Sequence, residues 1–361
     1  MRCPNPAPVP TALAKSPSRK PRAAKGAAAR PAAAKPVTIR DVAKVAGVSA
    51  ITVSRALARP ELVSPQTRER VRAVVARTGY VPNVLAGSLR TRRSGIIAAI
   101  FPQVSNTLFV EAIQALTERL REEGYQVLLG LSSYERREDE LIAGILGRQP
   151  DGILLTGVSH APETRRRLIA AHIPVVETWD LTPSPIDMLV GFSHEKVGAA
   201  MARHLLARGH RDIGLVWNND ARAELRRRGF LEVLAGSGIE PAATCLGPAP
   251  ATFPRGREGL AQLLRSGKRF TAVACSSDPL AQGVIAEAQD RGLRIPGDLA
   301  VIGFGDLDFA AHTTPALTTV GIDKVAIGRR AAEMLLARIA GREAGERIVD
   351  VGFTVIERAS T

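Results

Sequence analysis

Arg55 carries the clearest chemistry in this sequence. It lies in a run that reads as a short helix, where a guanidinium can place two parallel hydrogen bonds on the O6 and N7 edge of a guanine, a pairing worth roughly 1–3 kcal/mol of base discrimination. Its neighbours suit the same task. Ala50 and Ile51 offer apolar contact, for instance to thymine methyls, while Thr38, Ser49, Thr52 and Ser54 are short hydroxyls suited to phosphate or capping contacts. Other chemistry finds little footing. There is no phosphate-cradling GxxxxGK[ST] loop, no GxSxG elbow, no HExxH and no GxGxxG after the first strand-like run. His204 and His210 are six apart, which does not put them on one helical face, and loop turns account for Asp306 and Asp308. Cys3, Cys245 and Cys275 are isolated, with no redox or metal spacing. The expectation is a non-enzyme with no catalytic residues, no metal and no cofactor.

The elements that must position Arg55 are legible in TIRDVAKVAGVSAITVSRAL, residues 38–57. Thr38 with Asp41 three residues on is a capping pattern for a first helix, Gly47 supplies a turn, and Ser49 caps a second helix. Val42, Ala43, Ala46, Val48, Val53 and Leu57 form small apolar faces that let two helices cross closely. An ordinary helical hairpin uses the same spacing. Ser64-Pro65 then opens a third helix through Val71, Val74 and Val75, which Gly79 stops.

The charge distribution separates these alternatives. The chain of 361 residues carries a formal charge of +14. Residues 1–36 hold eight Lys or Arg and no acid, and residues 37–93 hold eleven against three, which leaves the other 268 residues at −2. A basic end on a near-neutral body is the electrostatic footprint of a nucleic-acid-binding module. Residues 1–36, rich in Ala and Pro, lack the large apolar side chains of a core and are expected to be a flexible phosphate-attracting tail or an over-extended start. Their Arg-rich, acid-poor composition also mimics a transit peptide. No apolar run approaches the ~20 residues of a membrane span and no secretory signal is present, so a cytoplasmic protein is expected.

From VTIRDVAKVAGVSAITVSRAL, VSPQTRERV, GYVPN and the A-x-S-L stretch at 86–89, agreeing in order and spacing, the chain resembles the lactose/galactose repressor family, and the resemblance continues to about residue 356. It implies that the second helix reads the major groove, that Asn83, Ala86, Ser88 and Leu89 belong to a hinge that folds on DNA, and that paired Leu89 side chains wedge into the minor groove. Gly87 departs from the arginine often found there and weakens a hinge helix by roughly 1 kcal/mol relative to alanine. The resemblance further implies a homodimer on pseudopalindromic operator DNA. A tetramer is not expected, because no C-terminal heptad helix follows the last strand.

Downstream, GIIAAIF, YQVLLGL, GILLTG, PVVETW, DIGLVW, TAVACSS and LAVIGF read as buried strands between helices near 109–123, 195–208, 222–236, 255–266 and 279–291. This alternation predicts two α/β lobes with parallel sheets. The resemblance implies a periplasmic-binding-protein-like body whose chain crosses between lobes near 191, 321 and 348. The expected organisation is a basic tail at 1–36, an all-α helix-turn-helix domain at 37–82, a hinge at 83–94 and a two-lobed sensor at 95–361. Within the sensor, lobe 1 covers 95–190 and 322–347, and lobe 2 covers 191–321 and 348–361.

Ligands of such folds sit at the carboxyl ends of strands. Those ends supply Ser105, Asn106, Phe109, Thr156, Trp179, Asp180, Phe192, Ser193, Ser277, Asp278 and Asp306. Arg226, three residues before Gly229, stands where the family places an effector-contacting arginine; alone, the run Arg226–Arg228 reads as a solvated helix face. Sugar-binding members commonly place aspartates where this chain has Trp179 and Gly305. Losing those carboxylates while keeping Arg226 favours an anionic effector, and the sequence is most similar to the gluconate-utilisation repressors. The implied function is a repressor of sugar-acid catabolism relieved by gluconate or a related acid. The alternatives are a relative answering a neutral sugar or other metabolite, and a solute-binding protein without DNA function.

Overall fold

The computed structural model describes residues 37–81, 93–103, 107–132, 138–343 and 345–361. The chain divides into two compact units, residues 1–83 and 84–361. In the first, helices α1 (Ile39–Ala46), α2 (Ala50–Ala58) and α3 (Pro65–Thr78) enclose a core of Val42, Ala43, Ala46, Val53, Ala56, Val71, Val74 and Tyr80. Local chemistry sets their ends. The Thr38 backbone N–H donates to Asp41 Oδ2 at 2.9 Å, and the Thr38 side chain accepts from the Asp41 N–H, a reciprocal capping box. Gly47 closes α1 at φ +63°, a left-handed conformation that side chains with a Cβ rarely adopt. Ser49 caps α2 through the Thr52 N–H, and Ser64 caps α3 ahead of Pro65.

The second unit is built on two parallel sheets. One has six strands in the order β11-β5-β4-β3-β1-β2, formed by β1 (Ile96–Phe101), β2 (Gln126–Leu131), β3 (Gly152–Thr156), β4 (Val175–Thr178), β5 (Met188–Gly191) and β11 (Ile348–Asp350). The other runs β7-β6-β8-β9, from β6 (Ile213–Asn218), β7 (Ala243–Gly247), β8 (Ala272–Cys275) and β9 (Ala300–Ile302). A third, two-stranded antiparallel pairing joins β10 (Thr319–Gly321) to β12 (Thr354–Ile356). The connecting helices are α4 (Val110–Glu122), α5 (Glu138–Leu146), α6 (Pro162–Ala170), α7 (His194–Ala207), α8 (Ala221–Gly236), α9 (Phe253–Arg265), α10 (Asp278–Asp290) and α11 (Lys324–Ile339).

Two expectations need correction. Residues 348–350 belong to the first lobe, because β11 pairs with β5 in register Ile348↔Leu189 and the Leu189 N–H is satisfied by the Arg347 carbonyl. The last crossing therefore follows residue 350. Strand β2 is not buried throughout: it lies at the sheet edge, with Leu129 and Leu131 exposed. The chain then ends against the second lobe, where Ser360 bonds both backbone groups of Val301.

Candidate DNA-reading helix and effector cleft

On α2, Ile51 is 63% exposed and Arg55, one turn further, is also exposed, so both project from the surface of the first unit while Val53 and Ala56 anchor the opposite face. Ala50 and Ser54 are half-buried beside them. The Ser49 and Thr52 hydroxyls bond each other at 2.9 Å, and Thr38 is committed to the capping box, so these three shape the helix ends. Asn83, Ala86, Ser88 and Leu89 lie outside the described residues.

In the second unit the carboxyl ends of the strands converge on a cavity of about 190 Å³. Phe109, Trp179, Arg226 and Ser277 line it, as expected from the sequence, and so do His194, Asn218, Arg222 and Phe304. Trp179 leaves β4 at φ +76°, an unusual conformation for a bulky residue, and lies edge-on to Phe109 at 4.9 Å between ring centres. Such strain collects at ligand-binding positions. Phe192 is fully buried behind this wall, packed between Trp179 and His194, and supports the cavity without lining it.

Arg226 reaches the cavity because α7 and α8 cross at glycines. A Cβ on Gly198 would lie 1.7 Å from the Arg226 carbonyl oxygen, and one on Gly229 would lie 2.0 Å from that of Glu195. The guanidinium is buried: Nη1 donates to His194 Nδ1 at 2.8 Å, Nη2 donates to the Ser276 carbonyl at 3.0 Å, and its carbon stacks 4.0 Å over the Phe304 ring. Burial, reinforced by the charges of Arg226 and Arg222, pushes His194 down to about 4 against the pull of Asp180. His194 is thus neutral at pH 7. Accepting at Nδ1 leaves its proton on Nε2, which faces Asp180 Oδ1 at 3.3 Å.

Asp180 reaches across the cleft to Arg222, whose Nε donates to Oδ2 at 2.9 Å. Burial opposes its ionisation, but Arg222 and His194 together hold it well below the usual carboxylate range. A carboxylate therefore does stand next to the position occupied by Trp179, with its charge already matched. Asp220 caps α8 through the Ala223 N–H. The buried Ser277 hydroxyl has no hydrogen-bond partner among the described residues and stands at the N-terminus of α10.

Three expected contacts point elsewhere. Asp278 is fully buried and accepts from the Thr319 hydroxyl at 2.6 Å and the Leu307 N–H at 2.9 Å, bracing the crossover strand; burial raises it to about 6 despite those bonds. Asp306 pairs with Arg358 at 2.8 Å. The Thr156 hydroxyl donates to the Ile100 carbonyl, and Thr156 lines a neighbouring cavity. Ser105 and Asn106 lie outside the described residues. The missed residues carried faint signals. Arg222 is one helical turn before Arg226, and His194 opens the helix after the first crossover.

A helix-turn-helix unit joined to a two-lobed α/β unit with a polar cleft defines a ligand-responsive, DNA-binding transcriptional regulator. Residues 38–83 match the bacterial regulatory proteins of the lacI family, and residues 202–361 match the periplasmic binding protein-like domain. The chain is 40% identical over 327 residues to the HTH-type transcriptional regulator GntR of Pseudomonas aeruginosa, covering 90% of this chain and 95% of that protein. A lacI-family transcriptional regulator from Silicibacter pomeroyi superposes with a TM-score of 0.85 at 33% identity, over 90% of this chain and 99% of that one. The Lac repressor dimer bound to operator and the anti-inducer ONPF superposes with a TM-score of 0.78 at 27% identity, over 91% and 99%. The chain belongs to the lacI family of bacterial regulators.

Proposed function

We propose that this regulator is a cytoplasmic repressor of sugar-acid catabolism, working as a homodimer on a pseudopalindromic operator and released from it when gluconate or a related acid enters the cleft. The observation that carries this reading is the charge balance of the cavity. Two guanidiniums, Arg222 and Arg226, line it beside a neutral His194, while Asp180 is paired with Arg222 and Asp220 accepts the Ala223 N–H at the start of α8. An acid entering such a site meets two guanidiniums against a single lining carboxylate, Asp220, whose charge is favoured where it is by the N-terminus of α8, and the N-terminus of α10 adds a favourable dipole. The name GntR on the Pseudomonas aeruginosa relative accords with the resemblance to gluconate-utilisation repressors. Two copies are needed because one short reading helix covers too little DNA for tight specific binding.

Calorimetric titration with gluconate, 2-ketogluconate, ribose and a purine tests the ligand class. Binding of the acids is expected, and binding only of ribose or the purine would remove the acid reading. Arg226→Ala is expected to weaken the acid by about 10–100-fold, the loss of a charge-assisted pair. A gel shift on the upstream region, with and without gluconate, tests the rest: retardation relieved by the acid is expected.

A further inference from the structure

Beside the effector cavity lies a second chamber of about 730 Å³, lined by Ser132, Thr156, Gly157, Ser159, Thr164 and Asp180 among others. Among the described residues only Asp220 and Arg222 line both spaces. Asp220 is held at the start of α8 by its capping bond. Arg222 comes from the second lobe, and its Nε bonds Asp180 of the first lobe, 42 residues away in sequence, at 2.9 Å. Its Nη2 lies so close to Gly157 that a Cβ there would be 2.7 Å away. The guanidinium therefore fills the gap between the lobes, and the two spaces meet at it.

We infer that Arg222, pinned by Asp180, is the end wall of the effector cavity and fixes the length of effector the protein accepts. The inference rests on reading the cleft as the effector site. Asp180 is shielded from water and meets two nitrogen bases, Arg222 and His194, so the strut is held from one end by a buried, charge-matched anion. An effector longer than one sugar unit has to displace that bridge and leave Asp180 short of a partner, which is costly in a desolvated site. The space behind the wall is chemically suited to a second sugar unit. The Thr164 hydroxyl, which lines it, is buried with no hydrogen-bond partner among the described residues, and the hydroxyl-bearing Ser132 and Ser159 line the same space. Arg222 is thus a specificity-determining residue that discriminates a single-unit acid from an aldobionic acid.

The test titrates the full chain, its Arg222→Ala and Arg222→Gln variants and Arg222→Lys with gluconate, maltobionate, glucose and maltose, with cooperative melting as the folding control. In the wild type, maltobionate is expected to bind about 100-fold or more weaker than gluconate. Arg222→Ala narrows that ratio to about tenfold or less, Arg222→Gln follows it, and Arg222→Lys, which keeps length and charge, restores the rejection. The wall is overturned if a folded Arg222→Ala or Arg222→Gln keeps the wild-type ratio, or if the wild type takes maltobionate as tightly as gluconate. Should the wild type bind glucose and not gluconate, the acid reading fails alone and the ratio of maltose to glucose decides the wall in the same way. A cleft that binds none of the four in any of these proteins overturns both.

Discussion

Gly229→Ala probes the geometry that delivers Arg226 to the cleft. The added Cβ would lie 2.0 Å from the Glu195 carbonyl oxygen, whereas an ordinary carbon–oxygen contact is about 3.3 Å, so α8 must retreat from α7 by roughly 1.3 Å. Arg226 rides one turn away on the same helix. Its bond to His194 on α7, 2.8 Å long, then stretches toward about 4 Å, past the limit of a hydrogen bond. Overpacking costs about 1–3 kcal/mol and weakening bonds to a charged group adds about as much. A net loss of about 3 kcal/mol lowers the melting midpoint of a unit this size by roughly 6–12 °C, and effector affinity falls with it. Gly236→Ala is the matched control. It lies at the end of the same helix with nothing within 4 Å of its Cβ position, so higher helix propensity makes it neutral or slightly stabilising. Differential scanning calorimetry and effector titration of both variants read the outcome. Equal midpoints for Gly229→Ala, Gly236→Ala and the wild type would refute the close-crossing argument.

The reading helix and the titrating groups give further predictions. Arg55→Ala is expected to cost about 1–3 kcal/mol of operator affinity and relax preference at one base pair per half-site, measured by gel shift on operator variants; uniform weakening across all sequences would reassign Arg55 to phosphate contact. Thr38→Ala removes the side-chain half of the capping box, leaving the backbone N–H free to donate to Asp41, and lowers the stability of the helix-turn-helix unit by about 1 kcal/mol, seen as earlier loss of its helical circular dichroism signal. The His160 side chain sits between Glu138 at 3.0 Å and the buried Glu177 at 3.3 Å; burial works against its charge, but the bonds to Glu138 and Glu177 raise it to about 9. With the folded value above the ordinary 6.5, its contribution is full below about pH 6.5 and lost as pH rises through 9, on the order of 3 kcal/mol. Denaturant unfolding across pH 6–9.5 should therefore show a steeper alkaline decline in the wild type than in His160→Gln, and parallel profiles would contradict the assignment.

Much of the fold could be read locally. The cap at Thr38, the turn at Gly47 and the cap at Ser49 involve partners within five residues, so residue types there dictate geometry directly. Helix α8, expected over 222–236, spans Ala221–Gly236, and α10, expected over 279–291, spans Asp278–Asp290. The cleft was less legible. Asp278 and Ser277 are neighbours at one strand end, yet Asp278 turns inward to Thr319, 41 residues away, while Ser277 lines the cavity. Asp306, equally plausible from its position, is occupied by Arg358 at a distance of 52 residues. A residue's place after a strand puts it near the cleft, and its rotamer and distant partners decide whether it faces the ligand.

The sequence by itself determined the two kinds of unit in this protein and the helix pair of the first, because helix caps, apolar periodicity and the charge of the first 93 residues are set by near neighbours or by composition alone. The tertiary structure decided the rest of the site. It placed β11 in the first sheet, turned Asp278 away from the cleft, and brought Asp180 of one lobe to Arg222 of the other. Those contacts depend on how separately formed lobes pack, and a buried ion pair between distant segments leaves no periodic or compositional trace in the chain.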